Sequence, residues 1–433
     1  MRAASSVPSP SASRTRSSSS DDPAAGVGRR VALGRAAGLA VAAYAFVVTM
    51  AGTTLPTPLY PAYRAEFGFS QLMVTIIYAT YAVGVITALL LFGRLSDRVG
   101  RRAVLLAGLT ASAASAVVFL TAVGLPELFV GRVLSGLSAG IFTGTATATL
   151  VDLAAPGKAG RAALVATIAN IGGLGCGPVL AGLVARFGEH PLRLTFVIDL
   201  ALLVPAVVGV LALPETVSPL ARAVARASGP LVARPRVPAQ VRALFVRAAL
   251  AGFAGFAVLG MFTAVSPAFL GELGVHNPAV TGVVVAAVFA SSAAGQLLAR
   301  RAGPGAGLPA GCAALIVGVG LVALALAFSS LTLLVVGGVV AGAGQGLSFA
   351  SGLGALLGAA PPADRARTSS AFFVVAYVAI SVPVVGIGVL AQLTTLRTSG
   401  LVFVAVIGVL ALAVLALLRP GRPGGRAPAG GAA

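Results

Sequence analysis

The ten residues GRLSDRVGRR, at positions 93–102, lie between two long apolar stretches near 72–92 and 103–123. The segment holds one acid, Asp97, among four arginines, and a glycine stands at position 93 and again at position 100. A helix needs roughly 20 apolar residues to cross about 30 Å of hydrocarbon, and each flanking stretch has that length. The segment is therefore predicted to be a short polar loop between two transmembrane helices.

Ten further apolar stretches of similar length accompany this pair along the chain. They lie near 36–56, 128–150, 162–185, 194–213, 248–269, 279–298, 308–328, 331–357, 369–392 and 398–418. A barrel strand would be about 10 residues long with alternating polarity, and these stretches are longer and do not alternate. We therefore predict an all-α polytopic membrane protein with twelve transmembrane helices, numbered here as spans 1 to 12.

The composition points to lipid as the surrounding medium. Of the 433 residues, 58% are hydrophobic and 9% charged, whereas soluble domains carry about 25% charged residues. The net charge of +19 comes from short basic segments between the spans, and no Trp is present, so nucleic acid is not expected as a partner. Cys176 and Cys312 have no Cys or His partner at metal spacing, so neither a metal site nor a cofactor is predicted.

The loops give the domain organisation and the orientation. We predict an N-terminal tail, a first six-helix half, a central loop, a second six-helix half and a C-terminal tail, at residues 1–32, 33–213, 214–247, 248–418 and 419–433. Of the 30 Lys and Arg residues, 25 fall in the tails and the even-numbered loops. Because basic loops remain in the cytoplasm, both termini are predicted to be cytoplasmic and the protein to lie in the cell membrane. The N-terminal tail is predicted to be disordered.

A shift of 206 residues aligns part of the second half with the first. Leu128, Gly131, Gly136 and Gly140 then fall on Leu334, Gly337, Gly342 and Gly346, and Pro156 and Arg161 fall on Pro362 and Arg367. Glycine matches arise by chance in low-complexity apolar sequence, but the same shift holds through the polar loop that follows. Two repeated six-span halves with a substrate site between them are a recurring transporter architecture.

The loop at 93–102 closely resembles the G-x-L-(A/S)-D-R-x-G-R-(R/K) signature of the major facilitator superfamily. The resemblance implies that family's fold, with two pseudo-symmetric six-helix halves, and a gating loop formed by Gly93, Asp97, Arg98, Gly100, Arg101 and Arg102. In the family, this loop latches the two halves together at the cytoplasmic face. We expect Asp97 to face the start of span 11 near Thr368, just after Asp364, Arg365 and Arg367.

Arg132 lies inside span 4, where an arginine costs at least ~2.5–3.5 kcal/mol at mid-membrane. With Gly136 it resembles the family's R-x-x-x-G element, which implies a role in proton coupling. The alternative is an arginine that extends to the interface near Glu127.

Asp199 is the one acid inside a predicted span, and an acid there is a functional-site hypothesis, as a proton carrier or as a counter-charge for a cation. Alternatively, Asp199 forms an interfacial ion pair with Arg193. Asp152, just after span 4, is a further proton-coupling candidate.

Span 5 contains GLGCGPVLAG at residues 173–182. Small residues four apart allow close helix packing, and Pro178 removes a backbone donor. Gly173, Gly177, Pro178 and Gly182 resemble the family's G-x-x-x-G-P-x-x-G-G antiporter signature, although Ala181 replaces one glycine. The resemblance implies export, and the alternative is ordinary glycine-rich packing.

Together these features predict a secondary transporter that works by alternating access, with proton-coupled efflux of small amphipathic or drug-like molecules. An importer of a small nutrient such as a sugar or organic acid is the alternative. The two scattered histidines provide no catalytic cluster, and the sequence has no phosphate-binding Gly-Lys-Ser/Thr loop, so neither an enzyme nor ATP-driven transport is expected. The expected partners are a small-molecule substrate, protons and the lipid bilayer, and the protein is expected to be a monomer.

Overall fold

The structure is a computed structural model that describes residues 33–92, 95–227, 235–303 and 305–418. The predicted tails and Gly93 of the gating loop lie outside the described residues. Throughout the described part of the chain, the regular secondary structure is helical. Twelve of the helices are long and apolar enough to cross a membrane, which confirms the predicted all-α polytopic fold.

The spans are, in order, Arg35–Thr54, Gln71–Phe92, Arg101–Leu120, Leu125–Leu153, Ala159–Phe187, Pro191–Ala212, Arg242–Ala264, Pro278–Ala299, Gly307–Phe328, Leu331–Ala359, Arg365–Leu393 and Leu396–Leu417. Four short helices connect them: a first exit helix after span 1, a loop helix after span 2, a connector helix after span 6 and a second exit helix after span 7. They comprise Tyr60–Phe67, Leu95–Val99, Pro219–Ala227 and Ser266–Glu272. We call the side where span 1 begins and span 12 ends the terminal face, and the other side the opposite face.

Several boundaries differ from the sequence prediction by a few residues, and two of these differences have a clear cause. Span 7 begins at Arg242 rather than near 248, because Arg242 and Arg247 interrupt the apolar pattern without lowering helix propensity. Span 1 ends at Thr54 and is followed by a 3₁₀ turn and the first exit helix. Prolines at positions 56 and 58 lack the amide donors that a continuous helix would need.

Glycines bring span 4 against span 2, and span 10 against span 8. A β-carbon on Gly136 would overlap the carbonyl oxygen of Tyr81 in span 2. The repeat-related Gly342 makes the same approach, with its β-carbon position 2.5 Å from the carbonyl oxygen of Val288 in span 8. Small residues allow such close backbone approach within a membrane. The glycines matched by the 206-residue shift are thus packing residues of both halves.

Candidate functional site

The gating loop is capped by a carboxylate from the end of span 6. Gly100 lies between the loop helix and span 3 with a φ of 121°, a conformation that favours glycine. Glu215 packs against Gly100, and its oxygens accept the backbone N–H groups of Arg101 at 2.9 Å and Arg102 at 3.3 Å. Glu215 therefore caps the amino end of span 3, where the helix dipole favours an anion.

Arg101 links the acids of the terminal face. Its guanidinium lies 2.7 Å from Asp97 and 3.2 Å from Asp152, and it donates to the Ser96 hydroxyl at 2.6 Å. The Thr216 hydroxyl donates to the same Asp152 oxygen at 3.0 Å. Asp152, predicted as a proton-coupling candidate, thus belongs to a surface network at the gating loop. Exposed pairs of this kind contribute about 0–1 kcal/mol each.

Arginine side chains of the connector helix bind main-chain carbonyl groups of the loop helix. Arg226 donates to the carbonyl oxygen of Arg98 at 3.1 Å, and Arg222 donates to that of Val99 at 3.5 Å. These carbonyls are the last of the loop helix, where positive charge is stabilising. The gating loop is therefore fixed to the first half by the connector helix and by Glu215.

The expected contact between Asp97 and span 11 is not made in this structure. Asp97 pairs with Arg101, and Arg367 near the start of span 11 pairs with Asp364 at 3.5 Å. No ion pair joins Asp97 to span 11 within the described residues. The Asp97 carboxylate is paired one helical turn away within its own half, so its charge needs no partner from the second half.

Arg132 is enclosed by span 1 and the first exit helix. Its side chain is 1% exposed, and its guanidinium donates to the Thr53 carbonyl at 2.7 Å and to the Tyr60 hydroxyl. The guanidinium carbon also lies 5.3 Å from the Tyr60 ring centroid and 5.8 Å from that of Tyr78, within cation–π range. The side chain is thus held by uncharged oxygens and aromatic rings.

This placement does not correspond to an arginine that extends to the interface. Arg132 has no carboxylate within ion-pair distance among the described residues, and Glu127 makes no ion pair there. A buried charge without a counter-charge is costly unless its hydrogen bonds are made. The two hydrogen bonds and the two rings provide part of that compensation, while the buried Nε–H of Arg132 has no hydrogen-bond partner among the described residues.

Asp199 packs against span 1 beside the position that Arg132 contacts. It is 3% exposed and is the one buried carboxylate among the described residues. A β-carbon on Gly52 would lie 3.1 Å and 3.3 Å from the two carboxyl oxygens, and Gly52 precedes Thr53 in span 1. Asp199 makes neither a hydrogen bond nor an ion pair within the described residues, so the alternative of a pair with Arg193 is not observed.

Two hydroxyl groups near this position also lack partners. Thr195 precedes Asp199 by one helical turn, and Thr49 precedes Gly52 by three residues on the same side of span 1. Both side chains are fully buried, and neither Oγ1 has a hydrogen-bond partner among the described residues. The contact between spans 1 and 6 therefore contains three polar side chains, of Thr49, Thr195 and Asp199, that make no hydrogen bonds with one another.

Pro178 of span 5 leaves a carbonyl that span 1 satisfies. Because proline has no N–H, the carbonyl of Leu174 one turn earlier has no intrahelical donor. The Thr54 hydroxyl donates to it at 2.9 Å. Span 5 and span 1 are therefore joined by a hydrogen bond at the predicted motif.

The motif glycines pack on two different helices. A β-carbon on Gly173 would lie 2.6 Å from the Val47 carbonyl oxygen, and one on Gly177 would overlap the Ala51 carbonyl oxygen, both in span 1. Gly182 instead meets the first turn of span 8, in the second half. The residues of the motif thus join span 5 to its own half and to the other half.

A cavity of about 630 Å³ lies at the opposite face, between the two exit helices. Its walls come from both halves and include Tyr60 and Arg64 of the first, and Glu272 and His276 of the second. Burial raises the pKa of the Glu272 carboxyl, while the nearby positive charge of Arg397 lowers it. The cavity reaches the Tyr60 side chain that holds Arg132.

Sequence reasoning did not predict Glu215, Tyr60 or Thr54 as site residues. For Thr54 a signal existed, since Pro178 requires another donor for the carbonyl one turn earlier. The partners of Glu215 and Tyr60 could not be identified from the sequence, because they are 114 and 72 residues away along the chain.

Comparison with known proteins gives one family. The family model described as Major Facilitator Superfamily matches residues 42–382. No curated protein matches the sequence.

Several solved transporter structures share the fold at low sequence identity. A D-xylose–proton symporter has a TM-score of 0.73 at 15% identity, with 89% of this chain and 97% of that chain covered. A bacterial homologue of the human lysosomal transporter Spinster, in an inward-facing and unoccupied conformation, has a TM-score of 0.67 at 13% identity, with 89% and 97% covered. The human organic anion transporter MFSD10 (TETRAN) has a TM-score of 0.63 at 19% identity, with 89% and 99% covered.

Proposed function

The chain belongs to the major facilitator superfamily, and we propose that it is a proton-coupled exporter of small amphipathic molecules. The two six-helix halves rock about a central substrate site, which is alternating access. The terminal face is cytoplasmic in this proposal, as the distribution of Lys and Arg favours, and the membrane is the cell membrane.

The observation that carries the proposal is the buried and unpaired carboxyl of Asp199. An ionised carboxylate without partners is costly in a membrane interior, so the arrangement described here suits the protonated form. Loss of the proton would favour an arrangement in which water or a cation reaches the carboxyl. A group that is protonated in one arrangement and ionised in the other couples proton movement to the conformational change.

An uncharged face of span 4 supports an amphipathic substrate. Thr143, Gly144, Thr147 and Ala148 form a stripe that neighbouring helices leave partly uncovered, and Gly144 has no atom within 4 Å of a β-carbon position. Both threonine hydroxyls donate to carbonyls of their own helix at 2.8 Å. They can therefore offer only acceptor oxygens to a substrate, which suits a molecule that has an apolar body and a donor or cationic group.

The direction of transport rests on span 5. The motif glycines and Pro178 of span 5 resemble the family's antiporter signature. The glycines also pack closely against spans 1 and 8. These contacts support an exporter.

The test is proton movement in everted membrane vesicles energised to be acidic inside, with a panel of lipophilic cations and antibiotics added outside. We expect substrate-induced alkalinisation in the wild type, and its loss in Asp199→Asn. Glu189→Gln is the matched control, because it removes an exposed carboxylate at the end of span 5, and it should behave like the wild type.

Two results would contradict the proposal. A full proton signal in Asp199→Asn would exclude coupling at this carboxyl. A lack of response to every compound, together with protein-dependent nutrient uptake in whole cells, would replace the exporter with an importer.

A further inference from the structure

Arg132 carries a positive charge that the surrounding helices do not balance. It is the one buried basic side chain in the described part of the chain. Its Nη1 and Nη2 nitrogens donate to the Thr53 carbonyl and to the Tyr60 hydroxyl, but its buried Nε–H has no partner there. A buried charge that has neither a counter-charge nor all of its hydrogen bonds is costly, so this position calls for a further group.

Two tyrosines of the first exit helix add hydroxyl protons beside this guanidinium. The Tyr60 hydroxyl accepts a hydrogen bond from Arg132, and its own proton has no acceptor within the described ranges. Tyr63 follows three residues later, which places it on the same side of the helix. Its hydroxyl is buried without a partner among those residues, and the positive charge of Arg132 acts on it. The cluster therefore holds three donor groups that lack acceptors.

The cavity of about 630 Å³ at the opposite face reaches this cluster, since Tyr60 forms part of its wall. Arg64, one turn later on the same helix, also lines the cavity and donates to the amide oxygen of Gln71 at 3.0 Å rather than to a carboxylate. The acid in the wall, Glu272 of the second half, lies near the positive charge of Arg397. The arginines therefore favour the entry of an anion into the cavity.

We propose that Arg132, together with the hydroxyls of Tyr60 and Tyr63, binds a small monovalent anion such as chloride at the inner end of this cavity. Three donors without a carboxylate form the donor set of an anion site, and hydrogen bonds to an ionised partner are about twice as strong as neutral ones. A water molecule would satisfy the same donors but would leave the charge of Arg132 unbalanced. The site goes beyond the proposed function and does not depend on the substrate, its direction or the coupling ion.

Burial determines which anions suit the site. Arg132 and Tyr63 are each 1% exposed, so an anion that reaches both must give up most of its water. The cost of removing an ion from water rises with its charge, which favours chloride or bromide over sulfate. Gluconate is too large for a position enclosed in this way and serves as the inert anion.

The experiment measures thermal unfolding of the purified full-length protein in detergent, without substrate or proton gradient. Sodium gluconate is replaced stepwise by sodium chloride at constant ionic strength. A ligand that binds only the folded protein stabilises it as the ligand concentration exceeds its dissociation constant. We therefore expect chloride and bromide to raise the unfolding temperature along a binding curve, and sulfate at the same ionic strength to have no such effect.

Tyr63→Phe tests the site without removing a hydrogen bond of the protein itself. In gluconate this variant should unfold at the wild-type temperature, because the Tyr63 hydroxyl has no partner among the described residues. Its chloride affinity should fall roughly tenfold, the loss expected for one hydrogen bond to an ion. The matched control is Tyr44→Phe, which removes a hydroxyl that donates to the Leu202 carbonyl and should leave the chloride affinity unchanged.

Arg132→Gln tests the charge. It keeps a polar side chain in span 4 but removes the positive charge, so the chloride response should be lost. Arg186→Gln is its matched control, because it removes an exposed arginine at the same face, at the end of span 5, and it should respond to chloride like the wild type. If Arg132→Gln does not fold, the comparison between Tyr63→Phe and Tyr44→Phe decides the proposal.

Two results would overturn the proposal. Equal unfolding temperatures of the wild type in chloride and in gluconate would show that water satisfies the three donors. Equal chloride affinities of the wild type and Tyr63→Phe would show that chloride acts elsewhere on the protein. Because unfolding is measured without transport, either result leaves the test of proton coupling at Asp199 unaffected, and failure of that test leaves the anion site unaffected.

Discussion

Pro178 illustrates how one residue fixes a contact between two helices. It removes an amide donor from span 5, and the Thr54 hydroxyl of span 1 supplies the missing hydrogen bond to Leu174 at 2.9 Å. In a membrane interior no water can take over that bond. The contact between spans 1 and 5 is therefore specified by the chemistry of proline as well as by the motif glycines.

Replacement of this hydroxyl by a methyl group should destabilise the protein. We expect Thr54→Val to cost about 1–3 kcal/mol, because it leaves the buried Leu174 carbonyl without a donor. Thermal unfolding in detergent measures the loss. Pro178→Ala restores the amide donor, so Thr54→Val should cost less in that background, and an equal cost in both backgrounds would contradict this account.

Gly100 is a second position where a single residue type is required. Its φ of 121° and its contact with Glu215 both exclude a side chain, and strain of this kind costs about 1–3 kcal/mol. Gly100→Ala should therefore lower the unfolding temperature. Gly358→Ala is the control, since no atom lies within 4 Å of its β-carbon position, and an equal effect of both changes would argue against the strain.

At the scale of the element, Arg132 and Asp199 contact the last turn of span 1 from two helices. Arg132 in span 4 binds the carbonyl of Thr53, and Asp199 in span 6 lies against the preceding Gly52. The sequence predicted both side chains as membrane-embedded charges. It could not predict that they meet the same turn, because this depends on how three helices pack.

Loss of the Tyr60 hydroxyl should lower the stability of the protein more than loss of the neighbouring Tyr63 hydroxyl. Tyr60→Phe keeps the ring over Arg132 but removes an acceptor for a charged donor, a loss of about 1.5–3 kcal/mol. Tyr63→Phe is the matched control, because the buried Tyr63 hydroxyl has no partner among the described residues. Thermal unfolding should separate the two variants, and equal stabilities would show that the Arg132–Tyr60 bond is not made.

The gating loop gives a prediction about transport. Asp97→Asn removes the charge that pairs with Arg101 at 2.7 Å, so it should lower the transport rate while membrane insertion and expression stay unchanged. The vesicle assay and quantification of the protein in membranes measure the two effects. Full wild-type transport in this variant would contradict a latch at the loop.

At the scale of the whole molecule, hydrophobic length was sufficient to predict the twelve spans. The repeat was recognisable at Pro156 and Arg161, because matching residues in a polar loop are less easily produced by chance than matching glycines in apolar spans. That Gly182 packs on span 8 of the other half could not be predicted from the sequence, because the chain holds 55 glycines and the pattern does not identify the partner of each one.

In the proposed function, Asp199 couples proton movement to the conformational change. The most direct test uses purified protein in liposomes and compares substrate movement driven by a pH gradient with substrate-for-substrate exchange, which needs no net proton movement. We expect Asp199→Asn to lose gradient-driven transport and to keep exchange, with Glu189→Gln retaining both. Gradient-driven transport at the wild-type rate in Asp199→Asn would contradict the claim.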